Sequence, residues 1–454
     1  MFHALIFIFL ILPFASNGAS VEVLFEPKDL PPFRSDTLTV IAVSLRSNES
    51  WTGSLNAWCL DDDICTVDDG AYDLDLNAQN GYTSAFNLSI YGKFLGHTTL
   101  HLQIDNDSKE LHLTKEEYKL TILRSLQGEM LDRIFTVVVT IVVIFNTFLM
   151  GTQLDLNTII KVLKRPIGPV IAFFCQYVLM PTLGFILSWF LLPEKDYAMR
   201  LALFVVSCSP GGGKSNFWTI LFDGNIDLCI TMTFLSTVSA LGMMPLWLST
   251  LGTVFSPNRI PIPFFEIVRG LIALLIPSVA GMLFIRFRPG WEKKIHKIIK
   301  VTSFVFLVVF SVFGLFANFF IFQLITWRTV LASATLPWFG YILAFSVAYL
   351  LRQGWKDSIT IAIETGIHNI GIAIIILRFS LPEPDRDLAM VMPISVVFLT
   401  GKPLLVTWIV RSIYHKYFKT KDGEETMIEP GKEVQISDRK TVYATTDLST
   451  NVTM

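Results

Sequence analysis

Long apolar stretches alternate with short polar segments over the C-terminal two thirds of the chain. Nine such stretches follow Asp132, and each is close to the roughly 20 apolar residues that a helix needs to cross a bilayer. Their approximate extents are 134–154, 168–191, 197–220, 227–252, 264–286, 299–324, 330–351, 358–380 and 388–411. The pattern predicts an all-α polytopic membrane protein with nine spans in a lipid bilayer.

Residues 20–130 follow a different pattern, in which polar and apolar side chains alternate. The stretches Thr37–Ser44 and Thr98–Ile104 have the period of two that is typical of half-buried strands. We therefore expect a small β-rich domain, most simply a β-sandwich. Cys59 and Cys65 lie close together in this segment, and an oxidising compartment would favour a short-loop disulfide between them.

The N-terminus and the charge distribution predict how the chain is oriented. Residues 1–19 combine an apolar run with small residues and predict a signal peptide, with a retained anchor as the alternative. Three N-glycosylation sequons follow, at Asn48, Asn87 and Asn106. Lys and Arg are concentrated in the loops that nine spans would place in the cytosol. These features predict an extracellular N-terminus and a cytoplasmic C-terminus, with the plasma membrane as the location.

Composition supports this organisation and excludes several functions. The chain has 454 residues, of which 52% are hydrophobic and only 16% charged, whereas a soluble protein has about 25% charged residues. The sequence contains no Walker loop, dinucleotide fingerprint or basic nucleic-acid face. It therefore predicts neither an enzyme nor a partner of nucleic acid. Residues 131–417 would form a transmembrane transporter domain, and the polar residues 418–454 a disordered cytoplasmic tail.

Two of the apolar stretches contain residues that interrupt a helix. One carries Ser209–Asn216, which includes Pro-Gly-Gly-Gly, and a later one carries Glu364–Asn369. Hydrocarbon offers no partners to a backbone that leaves the helix, so such breaks are tolerated only where they are buried in protein or line a cavity. A carboxylate at this depth usually faces an ion or substrate pathway. Two broken spans are typical of a secondary transporter.

Several oxygen-bearing side chains in these spans could hold a cation. A cation site needs hard oxygens, at least one of them preferably anionic. The candidates are Ser215, Asn216, Thr233, Glu364, Asn369 and Gln176, and Cys229 shares a helix face with Thr233. The alternatives are hydroxyls bonded to their own helices and an ion pair of Glu364 with Lys214 or Lys402.

In combination and order, these motifs resemble the bile acid:sodium symporter family. The resemblance rests on Ser209–Asn216, Leu241–Pro245, Glu364–Asn369 and Gln176 with Met180–Pro181, and it covers about residues 131–417. The added N-terminal domain is similar to that of the longer family members. The resemblance implies a core domain and a panel domain built from inverted repeats, in which the third and eighth spans are broken and cross each other.

The resemblance also implies a ligand set for two sodium ions, which would be the coupling ions. The first site would use Ser215, Asn216, the position of Cys229, Thr233 and Glu364. The second would use Gln176, Glu364, Thr365 and the positions of Ile367 and His368. The transported substrate would be an amphipathic organic anion such as a bile acid or a steroid sulfate. The partner of the extracellular domain cannot be inferred.

The sequence departs from this family pattern at three positions near the expected ions. Cys229 stands where Ser is usual, His368 where Gln is usual, and Lys214 where a small residue is common. Sulfur is a poor ligand for a hard cation. Sodium coupling is the main expectation, and a sodium-independent or proton-coupled carrier is the alternative. A third interpretation is a membrane sensor derived from a transporter.

Overall fold

The computed structural model describes most of the chain. It covers residues 21–47, 50–68, 71–76, 82–106, 109–112, 118–255, 264–291, 294–295, 298 and 320–414. The predicted signal peptide, the sequon at Asn48, the tail 418–454 and most of the sixth expected span lie outside these residues. The chain divides into two compact units, 1–401 and 402–454. Of the second unit, the structure describes only the end of the last helix.

Ten strands precede the first helix in the described residues. They are β1 Val21–Glu26, β2 Phe33–Arg34, β3 Leu38–Ser47, β4 Trp51–Cys59, β5 Cys65–Asp68, β6 Ala71–Leu76, β7 Thr83–Gly92, β8 Gly96–Asn106, β9 Lys109–His112 and β10 Tyr118–Leu123. One sheet has the order β1-β3-β7-β5, and the other has the order β2-β10-β8-β4-β6, with β9 paired to β8. All pairs are antiparallel except the short one between β10 and β2.

The two sheets share one hydrophobic core, so the β-rich region is a sandwich. Alternate residues of β3, β7 and β10 point inward, as the period of two requires. Ile41, Val43 and Leu45 of β3 and Leu100 of β8 are fully buried together. The disulfide predicted between Cys59 and the first residue of β5 is present, with 5.9 Å between the two Cα atoms.

The described residues between 126 and 414 are mainly helical. The helices are α1 Leu126–Gly151, α2 Leu156–Leu163, α3 Ile167–Phe174, α4 Met180–Leu191, α5 Tyr197–Cys208, α6 Lys214–Leu221, α7 Ile226–Thr250, α8 Phe264–Phe287, α9 Ile321–Leu324, α10 Trp327–Leu350, α11 Trp355–Gly366, α12 Ile370–Ser380, α13 Asp385–Ala389 and α14 Val391–Tyr414. A π-helical turn, Cys175–Leu179, joins α3 to α4 without a break.

Six of the described helices or helix runs are long and apolar enough to cross a membrane. They are Leu126–Gly151, Ile167–Leu191, Ile226–Phe255, Val268–Phe287, Trp327–Leu350 and Asp385–Tyr414. The chain is therefore a multi-pass membrane protein. The total of nine spans stays a prediction, as do the inverted repeats.

The expected third and eighth spans are each divided into two short helices. In the third, α5 ends at Cys208 and α6 begins at Lys214. In the eighth, α11 ends at Gly366 and α12 begins at Ile370. Pro and Gly explain the first break, because Pro has no backbone N–H and Gly tolerates irregular backbone. The predicted interruptions therefore coincide with real ends of helices.

Candidate cation-binding site

The two helix breaks lie against each other and are joined through their main chains. The backbone N–H of Gly212 donates to the carbonyl of Ile367 at 2.7 Å. In return, the N–H of Asn369 donates to the carbonyl of Pro210 at 2.8 Å. These bonds satisfy backbone groups that neither helix can satisfy itself. Four half-helices therefore meet at one point, as expected for two crossing broken spans.

Glycine is required at this crossing because the chains approach closely. A Cβ atom added to Gly211 would overlap the carboxylate of Glu364. One added to Gly212 would lie 2.7 Å from the carbonyl oxygen of His368. The backbone N–H of Gly211 donates to the hydroxyl of Ser236 on α7 at 3.2 Å. The first break is thus held against both α11 and α7.

Glu364 lies at the centre of the site, 2% exposed. Its Oε1 accepts a hydrogen bond of 2.7 Å from the Thr233 hydroxyl, and the Cys229 thiol lies 3.3 Å from its Oε2. The Ser215 hydroxyl belongs to the same group of side chains, since its oxygen lies 3.4 Å from the Cys229 sulfur. The structure therefore brings together four of the five side chains expected for the first sodium site.

The position of Cys229 gives the first site an unusual composition. Its sulfur lies 3.4 Å from the Ser215 hydroxyl oxygen and 3.3 Å from the Thr219 hydroxyl oxygen. A thiol has one proton and a soft sulfur, so it can donate to Glu364 or to Ser215 but is a weak ligand for sodium. The site offers the Glu364 carboxylate and hydroxyl oxygens from α6 and α7, with sulfur where a further oxygen would help.

Asn216, the fifth member of the first set, lies at the rim of these groups. Its amide nitrogen donates to Oε1 of Gln153, which follows α1, over 3.5 Å. Its carbonyl oxygen, Oδ1, is buried and accepts no hydrogen bond from the described residues. Gln153 therefore leaves the Asn216 oxygen available for another partner.

The side chains expected for the second site are also buried next to the crossing. Gln176 donates its amide to the carbonyl of Ser209 at 2.7 Å, which ties the π-helical turn to the first break. Its Oε1 is buried without a partner in the described residues, and so is Oγ1 of Thr365. Neither ring nitrogen of His368 makes a well-formed hydrogen bond there. The carbonyl of Ile367 already accepts the N–H of Gly212.

The unsatisfied oxygens point to a cation. A buried polar atom without a hydrogen bond typically costs about 1–3 kcal/mol, so native structures rarely leave several together. Here the unsatisfied atoms include Oδ1 of Asn216, Oε1 of Gln176 and Oγ1 of Thr365. All three are oxygen acceptors and belong to the expected sodium ligands. The donor set therefore fits a hard monovalent cation balanced by Glu364.

Sequence reasoning missed several supporting residues, and the structure gives one of the candidates a role in the fold. Tyr177 donates its hydroxyl to the carbonyl of Ser236, and Gln153 contacts Asn216 across a long sequence separation. Neither residue belongs to a local motif. Thr219 follows Ser215 by four residues on α6, so helical spacing could have revealed it. Asn369 instead caps α12, because its Oδ1 accepts the N–H of Ile372 at 3.4 Å.

Comparison with known proteins places this chain in a family. The model of the "Sodium Bile acid symporter family" matches residues 140–322. The chain is 32% identical over 294 residues to the mouse ileal sodium/bile acid cotransporter, which covers 64% of this chain and 82% of that relative. The chain belongs to the sodium bile acid symporter family. Members of this family are transporters and not enzymes, and the related proteins couple transport to sodium.

Two other relatives show the range of similarity. The human sodium-dependent organic anion transporter is 33% identical over 259 residues, covering 55% of this chain and 66% of the relative. The mouse P3 protein is 28% identical over 270 residues, covering 59% of this chain and 56% of the relative. One solved structure, domains 4 and 5 of the S-layer protein SbsC, aligns with 23% of this chain at a TM-score of 0.17. A likeness of that size carries no argument.

Proposed function

We propose that this protein is a sodium-coupled symporter of amphipathic organic anions such as bile acids or steroid sulfates. The observation that carries the proposal is the environment of Glu364, a buried carboxylate at the crossing of two broken helices. Unsatisfied oxygens of Gln176, Thr365 and Asn216 belong to the same crossing region. Because an unpaired buried charge costs several kcal/mol, a bound cation would compensate Glu364 and satisfy these oxygens together.

The ligand assignment under this proposal follows the two sets of residues. Ser215, Asn216, Thr233 and Glu364 hold the first sodium ion, and Cys229 contributes little. Gln176, Glu364, Thr365 and the main chain at Ile367 and His368 hold the second. The substrate anion enters beside these ions, and rocking of the core domain against the panel domain gives alternating access. Bound sodium then stabilises the crossing of the two broken helices, so that these helices move together.

The proposed orientation has the β-sandwich outside the cell and the C-terminus in the cytosol, at the plasma membrane. Residues 1–19 serve as a signal peptide, residues 20–130 as the extracellular domain, and residues 131–417 as the transporter domain. The side chain of Asn87 is exposed on β7, which suits its use as a glycosylation site. Glycosidase treatment of the expressed protein tests this orientation, because glycans form only on the extracytoplasmic side.

Uptake measurements test the function. Cells that express the protein are given labelled taurocholate or a labelled steroid sulfate in sodium buffer and in choline buffer, and surface protein is measured in parallel. Uptake in sodium buffer alone supports the symporter. Equal uptake in both buffers contradicts sodium coupling and favours the sodium-independent or proton-coupled carrier, to which the sulfur of Cys229 also points.

The sensor alternative makes the opposite prediction about transport. A sensor derived from a transporter would reach the surface and carry neither substrate in any buffer. The intact crossing argues against it, since both breaks and the unsatisfied oxygens are retained. Sodium binding without uptake, measured as a sodium-induced rise in the melting temperature of the purified protein, would favour the sensor.

A further inference from the structure

We propose that the β-sandwich is a movable clamp, fixed to α1, that docks on the extracellular ends of both broken spans and must release them once in each transport cycle. This inference rests on the proposed rocking motion of a carrier. It gives the N-terminal domain a function that neither the motifs nor the relatives assign. The contacts that carry it connect the sandwich to the helices on two sides.

On the first side, the sandwich is anchored to α1. Strand β10 ends at Leu123 and α1 begins at Leu126, so only two residues separate them. The guanidinium of Arg34 on β2 bonds the carbonyl of Arg124 at 3.1 Å and forms an ion pair of 2.7 Å with Glu129 in the first turn of α1. Because the linker is short and held at both ends, the sandwich is expected to move together with α1.

On the second side, the sandwich contacts the broken spans through a buried carboxylate. Asp385, 4% exposed, begins α13 shortly after the end of α12. Its Oδ2 accepts the hydroxyl of Tyr197, the first residue of α5. Asp385 thereby ties together the outer ends of both broken spans. Its Oδ1 lies 3.2 Å from Nε2 of His97 on β8.

His97 is oriented for this contact by the sandwich itself. Its Nδ1 lies 3.1 Å from the hydroxyl of Thr121, its neighbour on β10. A carboxylate accepts only, so Nε2 carries the proton that faces Asp385, and the Thr121 hydroxyl can donate to Nδ1. The imidazole is thus held by one strand while it reaches a carboxylate of the transporter region.

A second contact reinforces the same edge of the sandwich. Asp61, within the disulfide loop, lies 3.6 Å from the ammonium of Lys195, which precedes α5. This loop is joined to the β7–β8 turn because the N–H groups of Lys93 and Phe94 donate to the carbonyl of Ile64 at 2.9 and 3.1 Å. Asp61 and His97 therefore belong to one rigid edge that faces α5 and α13.

The chemistry of the two sides explains which of them would separate. The contacts with α5 and α13 are polar and partly solvated, since the side chains of His97 and Lys195 are 42% and 73% exposed. The exposed pair of Asp61 with Lys195 is weak, and water can replace His97 at Asp385, which keeps its bond from Tyr197. On the α1 side, the polypeptide chain itself connects β10 to α1, in addition to the ion pair of Arg34 with Glu129. Rocking of the broken spans relative to α1 would therefore break the contact of His97 with Asp385 and keep that of Arg34 with Glu129.

Two matched cross-links test the clamp in the full-length protein. One variant carries His97→Cys with Asp385→Cys, and the control carries Arg34→Cys with Glu129→Cys. Each pair is bridged by a membrane-impermeant bis-methanethiosulfonate with a short spacer and then released by a reductant. The free cysteines 175, 208 and 229 are buried, and the four single variants report any effect of reagent, reductant or substitution.

We expect bridging at His97 and Asp385 to abolish uptake reversibly, while bridging at Arg34 and Glu129 leaves it intact. Normal uptake with the first pair fully bridged would overturn the clamp, and so would a block by both bridges. If Asp385→Cys alone removes uptake, Asp61→Cys with Lys195→Cys takes its place. If the first pair does not cross-link and the wild-type protein takes up substrate normally, the clamp is refuted but the proposed transport is not. If the first pair cross-links completely and the wild-type protein shows no uptake, the proposed transport is refuted.

Discussion

The hydroxyl of Thr233 on α7 donates a 2.7 Å hydrogen bond to Oε1 of Glu364 on α11, and this bond joins an unbroken helix to the second broken one. The partner oxygen, Oε2, faces Cys229 on the same helix as Thr233. Both oxygens of the buried carboxylate are therefore oriented by α7. Under the proposed ligand assignment, a cation bound at Glu364 would contact α6, α7 and α11 and so link these three helices.

Replacement of Glu364 should abolish sodium coupling while the protein still folds and reaches the surface. We expect Glu364→Gln to keep the shape of the site and its bond to Thr233 while removing the charge, so sodium-dependent uptake should be lost with surface expression largely intact. Glu364→Ala should also abolish coupled uptake. Uptake and surface biotinylation measure the two properties. Glu194→Gln, at an exposed carboxylate outside the site, is the control, and normal uptake by Glu364→Gln would refute the cation site.

Replacement of Cys229 should improve the first sodium site. Cys229→Ser substitutes a hard oxygen for sulfur at 3.3 Å from Glu364. We expect the sodium concentration that gives half-maximal uptake to fall by up to about tenfold, equivalent to about 1.4 kcal/mol. Cys175→Ser, at a buried cysteine in a separate hydrophobic cluster, should not produce this fall. An unchanged sodium dependence in Cys229→Ser would show that no ion contacts this position.

Gln153 should act as a positioning residue for Asn216. Gln153→Leu removes the acceptor that holds the amide nitrogen of Asn216, so Oδ1 loses its fixed orientation. We expect weaker sodium binding, seen as a smaller rise in melting temperature when sodium is added to the purified protein. The control is Gln353→Leu, because within the described residues that amide donates only to the nearby carbonyl of Leu351. If sodium raises the melting temperature equally in both variants, Gln153 does not position Asn216.

The crossing should not tolerate a methyl group at Gly211. A Cβ atom there would overlap the Glu364 carboxylate, so Gly211→Ala should separate the two breaks and lower both uptake and thermal stability. Gly242→Ala is the matched control, since the added methyl group on α7 meets nothing within 4 Å. Alanine in a helix interior should stabilise the protein by about 0.5–1 kcal/mol. Thermal melts of the two purified variants decide the comparison, and equal stability would contradict the close approach.

Local patterns predicted those parts of the structure that depend on local chemistry. The Pro-Gly-Gly-Gly sequence located the first break, strand alternation located the sandwich, and the close spacing of Cys59 and Cys65 predicted its disulfide. Membership in the family is confirmed by the relatives. The start of α1 was placed at residue 134 and lies at Leu126, because Ser125 caps the helix and Arg133 pairs with Glu129. These polar residues extend a helix beyond its apolar segment.

Contacts between distant segments could not be predicted in this way. His97 and Asp385 are 288 residues apart, and Gln153 and Asn216 are 63 residues apart. No periodicity connects such pairs, since their approach depends on how whole helices pack. The sodium ligands themselves stay a prediction that the proposed variants test.

The crossing of the two breaks is held by main-chain atoms, through Gly212 with Ile367 and Asn369 with Pro210. Every residue type supplies a carbonyl group, and every type except proline supplies an N–H group. Substitutions in the surrounding side chains can therefore change what the pocket prefers without dismantling the scaffold. Cys229 and His368 are two of these surrounding side chains. Side-chain substitutions can therefore change ion selectivity while the fold of the crossing is kept. The transported ion or substrate could accordingly be altered one side chain at a time.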